Sequence, residues 1–428
     1  MSINFCRYFL VSTLLFLFFG TAASAQLKLV DSPYSRAGIG TMHPTQFGIQ
    51  RAMGNLSAAL TDPLSINYTN PASYAWLKLT TLEVGLQGNG LWLNNTALQH
   101  NTGSGSFNYI ALAFPVAKWW GSSVGLMPYA SLHYDIKAEQ YSPYSDTLFT
   151  QHRFVGQGTA YQVYWGNGFK YKNLTFGANL AYLFGAQDRL ARSYFPEVPN
   201  SYGNEKDDAL LMHGFMWNAG VQYDLKLKND YHLILGAAGN SNTNVSASKD
   251  GKWSRIYVNN DQTAFLDSIY VYEKANGKIT LPTKANVGVS LKKENKWLVG
   301  VEGGTQQWSN FRNFGNIDST LTNSAYISVG FEVTPDYRAI TKFWQSTRYR
   351  GGFRYSTGNL KIGDTRLPEW AASFGLGLPI RKVNSRINIG LEVGQRGTLN
   401  NNLIRETFVA ATFGFTLNDR WFIKPKYD

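Results

Sequence analysis

The residues able to do chemistry are few and scattered. The six histidines, His43, His100, His133, His152, His213 and His232, share no ligand spacing. The only cysteine, Cys6, sits near the start of the chain, so no thiolate metal site or cysteine nucleophile is expected in the rest. There is no G-x-S-x-G elbow, no H-E-x-x-H and no phosphate-binding glycine loop. Catalytic residues, metal ligands and cofactors are therefore all expected to be absent. Charge is what shows a pattern. Glu83, Glu302, Glu332 and Glu392 each stand at a polar position between apolar neighbours, as do Arg386 and, in TRYRGGFRY, Arg348, Arg350 and Arg354. Fixed charges of both signs on one face suit an ion-pair network, or contact with a polar ligand group, rather than turnover.

The elements that carry these charges alternate with a period of two. Leu82, Val84 and Leu86 interleave with Glu83 and Gly85, and Ile387, Ile389, Leu391 and Val393 interleave with Asn388, Gly390 and Glu392. Charged residues make up 16% of the chain, against about 25% in ordinary soluble proteins. Aromatics make up 15%. After the first residues no run of about 18 apolar residues could form a membrane helix. In a bilayer only helices and closed barrels satisfy every backbone donor and acceptor internally, so the expectation is an all-β chain, a transmembrane antiparallel β-barrel. An arginine facing lipid at mid-depth costs about 2–4 kcal/mol, which turns the charges inward.

Strands are expected near 79–93, 104–115, 119–136, 153–171, 173–187, 208–226, 231–245, 280–292, 296–308, 323–334, 345–357, 368–380, 384–397 and 404–418. That is about fourteen, an even number as bacterial outer-membrane barrels require. Between them, short connections such as Lys172 and Lys293–Asn295 alternate with long ones such as 137–152, 188–207 and 246–279. The linker Pro335–Trp344 stands in a short slot but is longer, with room for a helical turn. This rhythm places the protein in the outer membrane of a Gram-negative bacterium with both termini periplasmic.

The chain divides into three parts. Residues 1–25 read as a signal peptide, with Arg7, an apolar run Phe9 to Phe19 and cleavage after Ala23-Ser24-Ala25. Residues 26–78 lack alternation and are rich in Gly, Ser, Thr, Pro and Asn, and are expected to fold as a plug inside the barrel formed by 79–428. The plug brings its own cations, Arg36 and Arg51, expected to pair with Glu302 and Glu332 while Arg350 and Arg354 complete the network. Pro128 removes a ladder donor inside an expected strand, so it marks either a bulge or a gap in the wall. Basic residues such as Lys172, Lys228, Lys293 and Lys296 collect at the short turns, where they face solvent, lipid headgroups or a periplasmic partner. Nucleic acid is not an expected partner.

Two short runs in the plug resemble a known family. R-x-M-G, at Arg51, Met53 and Gly54, and N-P-A, at Asn70, Pro71 and Ala72, are similar to the hatch signature of the FadL/TodX family of outer-membrane transporters. Ser73 follows the alanine, where members of that family often carry glycine. The opening S-P-Y-S-R-x-G-I-G, Ser32–Gly40, resembles a divergent branch. The resemblance implies a fourteen-stranded barrel closed by an N-terminal hatch. It also implies uptake of a hydrophobic small-molecule ligand such as a long-chain fatty acid, through a hatch-gated lumen and a lateral wall opening. The outer-loop aromatics Trp253, Phe265, Tyr270 and Tyr272 would meet the ligand first. Similar barrels also serve as accessory proteins in type IX secretion, or bind at the surface without transport.

Overall fold

The computed structural model describes residues 32–96, 99–142, 145–198, 201–259, 262–339, 342–380 and 384–420. The expected signal segment with Cys6, the turn 381–383 and the C-terminal aromatics Phe422 and Tyr427 lie outside these residues.

Fourteen antiparallel strands close into one barrel. They are β1 (Thr80–Asn94), β2 (Gln99–Ala117), β3 (Trp120–Ser142), β4 (Ser145–Tyr171), β5 (Leu174–Tyr194), β6 (Tyr202–Lys226), β7 (Tyr231–Asn240), β8 (Lys284–Lys293), β9 (Trp297–Gln306), β10 (Ser324–Val333), β11 (Arg348–Ser356), β12 (Glu369–Pro379), β13 (Arg386–Arg396) and β14 (Arg405–Asp419). Each pairs with its successor, and β14 returns to β1 in unbroken register from Thr80↔Asp419 to Asn94↔Arg405. Closure leaves no sheet edge along that seam.

The alternation follows from the two environments. Outward positions carry large apolar side chains left exposed, among them Phe176, Val287, Phe331 and Phe374. Inward positions carry buried small or polar ones, such as Ser123, Asn179, Gln222 and Thr412. Apolar side chains left bare on every side of a closed wall are stable against lipid, which identifies a transmembrane barrel.

Every expected strand is present, and several are longer. β4 starts at Ser145 rather than 153, and β5 and β6 reach Tyr194 and Tyr202. The expected long loop 246–279 is a hairpin, Thr243–Asn259 with Gln262–Leu281, whose first strand also pairs with the N-terminal half of β6 from Tyr202↔Tyr257 to His213↔Ser246. The expected strand 231–245 accordingly ends at Asn240. Beyond the membrane there is no lipid face, so strand pairing continues without the apolar alternation that marks it in sequence. The linker Pro335–Trp344 carries one helical turn, Phe343–Ser346. Among the described residues no helix is long and apolar enough to cross a membrane.

Residues Ser32–Lys78 form no sheet of their own. They contain short helical turns, Pro33–Arg36, Gly48–Arg51 and Pro71–Trp76, and a two-residue strand, Thr41–Met42. They bond to inward side chains of strands all round the barrel, from Glu83 on β1 through Gln162, Gln222 and Glu302 to Ser373 on β12. Only a segment inside the lumen can reach all of these at once.

Candidate functional site: the lumen segment, the wall break and the cavity between them

The base of the lumen segment is held by backbone as much as by side chains. Asn70, fully buried, caps the turn Pro71–Trp76 by accepting the Ala72 N–H at 3.2 Å, while its amide donates to Ala58 O at 2.6 Å. Pro71 stands first in that turn, where its missing N–H costs nothing. Gly54 has φ +66 and lies against the backbone of Val329 and Phe353, a position with no room for a side chain. Met53 is 1% exposed and packs with Ile49, Leu56, Leu60 and Leu298. Met53, Gly54, Asn70 and Pro71 thus act as joints of the segment. Inward glycines let the walls close on it. A methyl group built on Gly121, Gly236, Gly330 or Gly352 would run into the backbone of Tyr74, Ala58, Met53 or Gly54.

The carboxylates divide differently from expectation. Glu302 pairs with neither Arg36 nor Arg51. Its carboxylate accepts the N–H groups of Ser57 at 2.7 Å and Ala58 at 2.6 Å, together with Asn286 Nδ2 at 3.0 Å and Tyr326 OH at 2.8 Å. Glu83 likewise accepts the Ile66 N–H at 2.7 Å. Glu332 takes Arg350 at 2.7 Å and Arg348 at 3.2 Å. Arg51 goes to Gln87 and, at 3.8 Å, to Glu392. Arg36 is exposed, its guanidinium 4.9 Å over the Phe154 ring. Arg354 bridges Glu369 at 2.5 Å and Glu392 at 2.6 Å. A buried carboxylate close to free backbone donors needs no arginine, and those donors cannot be seen in a sequence.

One partner was missed. Asp62, the sole acid between 32 and 78, binds Arg348 at 2.8 Å. Burial alone would raise its carboxyl, but Arg348, Arg386 and the Leu64 N–H outweigh that and hold it at about 2. Being the one carboxylate in the segment was the signal that could have found it. Arg386 reaches this cluster through its charge on Asp62.

The wall is broken between β2 and β3. Their pairing runs from Ala117↔Trp120 to Ile110↔Leu126 and stops. Above it β2 follows β1 alone, with a bulge next to Asn108. β3 keeps β4, with a register shift between Pro128 and Ala130. Pro128 therefore marks a bulge on one side and the edge of the break on the other. The freed edge of β3 is taken by the lumen segment. Thr41 and Met42 pair with Ser131 and Ala130, His43 N–H donates to Tyr129 O at 2.9 Å, and Ser32 N–H donates to His133 O at 3.1 Å. Gly40, at φ +97, turns the chain against Ser131, where a Cβ would meet the wall backbone. His43 lies 2.6 Å from Ser131 Oγ. Burial, and then the charge of Arg51, pushes its imidazole down to about 4, so it is neutral at pH 7.

Beside this segment lies a cavity of about 340 Å³. Met42, Tyr68, Tyr129, Met216, Leu281 and Trp308 give it apolar walls, and Gln162, Asn218, Lys284 and Ser328 supply polar atoms. Gln162 Nε2 and Ser328 Oγ have no hydrogen-bond partner among the described residues. An apolar pocket with a few convergent polar groups suits a small, mostly hydrophobic ligand. Of the aromatics expected to meet a ligand first, Trp253, Phe265 and Tyr270 are exposed on the hairpin 243–281, while Tyr272 donates to Asp208. Among the described residues no three His, Cys, Asp or Glu side chains gather as metal ligands.

Fold and lumen together define a fourteen-stranded transmembrane barrel with its own N-terminal segment in the lumen. Within that class the BamG family model matches residues 6–428, and the chain belongs to the BamG family. Solved structures share the fold at low identity. The toluene transporter TbuX of Ralstonia pickettii is 16% identical with a TM-score of 0.58, over 88% of this chain and 99% of its own. The toluene transporter TodX of Pseudomonas putida is 15% identical with a TM-score of 0.59, over 88% and 99%. A Pseudomonas aeruginosa FadL homologue is 12% identical with a TM-score of 0.55, over 89% and 99%. No curated protein matches the chain in sequence.

Proposed function

We propose that the protein is an outer-membrane channel, not an enzyme, for uptake of hydrophobic small molecules such as long-chain fatty acids. In this reading both termini face the periplasm, residues 26–78 are the hatch, and the signal peptide 1–25 is removed. The observation that carries it is the break between β2 and β3, whose β3 edge is taken by Ser32–His43 of the lumen segment, with the cavity directly behind. An apolar ligand landing on the outer hairpin enters the cavity. It then leaves sideways into the membrane when Ser32–His43 lifts from the β3 edge, so that its apolar surface never crosses water. The toluene transporters TbuX and TodX, which share the fold, support the same reading.

The test is a reversible lock. The sequence has no cysteine after Cys6, so Met42→Cys with Ala130→Cys creates one defined pair at registered positions. Oxidation should abolish uptake of a labelled long-chain fatty acid or of toluene into cells, and reduction should restore it. Equal uptake in both states would rule out this gate.

A second reading has its own support. The base of the hatch is wedged against the inward glycines and tied to Glu302, Glu83 and Gln222, as suits a permanently filled barrel serving a secretion or surface partner. That reading expects no uptake in either redox state.

A further inference from the structure

A single lysine stands in the aromatic row on the outside of the barrel. At the turn end, Tyr231 of β7, Lys293 of β8, Trp297 of β9, Val333 of β10 and Tyr349 of β11 are direct cross-strand neighbours on the outer face. One step toward the membrane centre the same face is wholly apolar, with Leu233, Leu291, Val299 and Phe331. A charge on the lipid face is expensive at mid-depth and nearly free at the interface, so Lys293 marks the headgroup level. Its ammonium lies 4.9 Å over the Tyr231 ring, which packs edge-on against Trp297 at 5.9 Å. Lys293 is half-buried there, its charge held against the aromatic pair at the rim.

The turns below this row form one continuous surface. Glu294 N–H donates to Asp230 O at 3.2 Å, tying the β8–β9 turn to the β6–β7 turn, and Thr334 N–H donates to Lys296 O at 2.7 Å, tying it to the β10–β11 linker. On this surface Lys228 and Lys296 are exposed beside Lys293, and Lys342 follows on the linker. None of Lys228, Lys293 and Lys296 forms an ion pair with another described residue within 4.0 Å. Rim aromatics fix the depth, and just beyond it adjoining turns carry these three lysines together with the exposed Asp230 and Glu294.

We infer that Lys293, Lys296 and Lys228, framed by Tyr231 and Trp297, form a binding site for the phosphate of an anionic phospholipid in the leaflet facing the turns. The aromatic pair holds the glycerol and upper acyl region while the ammonium groups neutralise the phosphodiester. Such a lipid would fix this arc of the wall, β7 to β11, in the bilayer, far from the break between β2 and β3. The inference therefore stands or falls separately from transport.

The folded full-length protein in detergent would be titrated with phosphatidylglycerol or phosphatidylcholine, with bound lipid counted by native mass spectrometry. Wild type should prefer phosphatidylglycerol. Lys293→Gln and Lys296→Gln should each weaken its retention about five-fold, with barrel closure unchanged by heat-modifiability on gels. Trp297→Leu should weaken both lipids. Equal retention of the two lipids by wild type, or unchanged retention in the Lys293→Gln/Lys296→Gln variant, would overturn the site. Displacement of the lipid by millimolar inorganic phosphate alone would overturn the lipid assignment.

Discussion

The carboxylate of Glu302 accepts the amide N–H of Ala58 at 2.6 Å, and through the same group it also receives the Ser57 N–H at 2.7 Å. A wall side chain thus gives the lumen segment the capping that a helix takes from its own N-cap. Glu302→Ala would leave two buried N–H groups unsatisfied, at a cost of about 1–3 kcal/mol each. Glu302→Gln keeps an acceptor and should cost less. Proteolysis of the folded barrel should then release the segment around Ser57 fastest in the alanine variant. Equal protease resistance in all three proteins would show that Glu302 is not its anchor.

The inward glycines make a sharper test because no polar chemistry is involved. Gly330→Ala places a methyl group against Met53 O, and Gly236→Ala places one against Ala58 O. Neither backbone atom can swing away as a side-chain tip would. Each variant should therefore lower the thermal transition of the barrel by the 1–3 kcal/mol typical of overpacking, read as ~ few-degree shifts in heat-modifiability. Gly303→Ala, whose methyl group would lie 3.6 Å from Tyr326 O, should be neutral.

Arg51 carries a buried charge between Glu392 at 3.8 Å and Gln87, with Arg354 adding like charge nearby. Removing one partner of a buried pair typically costs about 3–5 kcal/mol, because the other charge is left uncompensated. Arg51→Glu, which sets two carboxylates against each other, should be the most damaging single change in the lumen. Arg51→Glu combined with Glu392→Arg should recover part of the loss. No recovery would mean that Arg354, which holds Glu392 at 2.6 Å, dominates that carboxylate.

The barrel was legible because lipid imposes a simple rule on every strand: Val287, Val289 and Leu291 must face outward, and so they alternate. Where lipid ends, the rule ends. Thr243–Asn259 is a strand by pairing with β6, yet T-N-V-S-A-S-K-D-G-K carries no apolar stripe and reads as loop. Inside the lumen, the need for inward charge was also legible, since Glu83, Glu302, Glu332 and Glu392 could not face lipid. Their partners were not, because the best donors to Glu302 and Glu83 are backbone N–H groups of Ala58 and Ile66, which any sequence would supply. Pro128 pointed to the right strand, but the break is set by where β2 leaves β3, two residues earlier at Leu126. That depends on Ser32–His43 competing for the same edge, a contact between segments about 90 residues apart.

His43 joins that competition to pH. It sits at the β3 edge, 2.6 Å from Ser131 Oγ, with Arg51 as the charged neighbour that acts on it. In the folded protein its imidazole titrates at about 4, against 6.5 in the unfolded chain. Between those values the unfolded chain binds more protons, so folded stability rises with pH across that window and is lost as pH falls from 6.5 toward 4. The strain is local. Acidification should therefore loosen the Thr41–Met42 pairing before it opens the barrel, and hydrogen exchange at His43 N–H should accelerate toward pH 4. His43→Gln can still hydrogen-bond Ser131 but cannot take up a charge, so its exchange rate, corrected for intrinsic chemistry, should stay flat over the same range. An equally steep loss of protection in the glutamine variant would place the acid-sensitive group elsewhere.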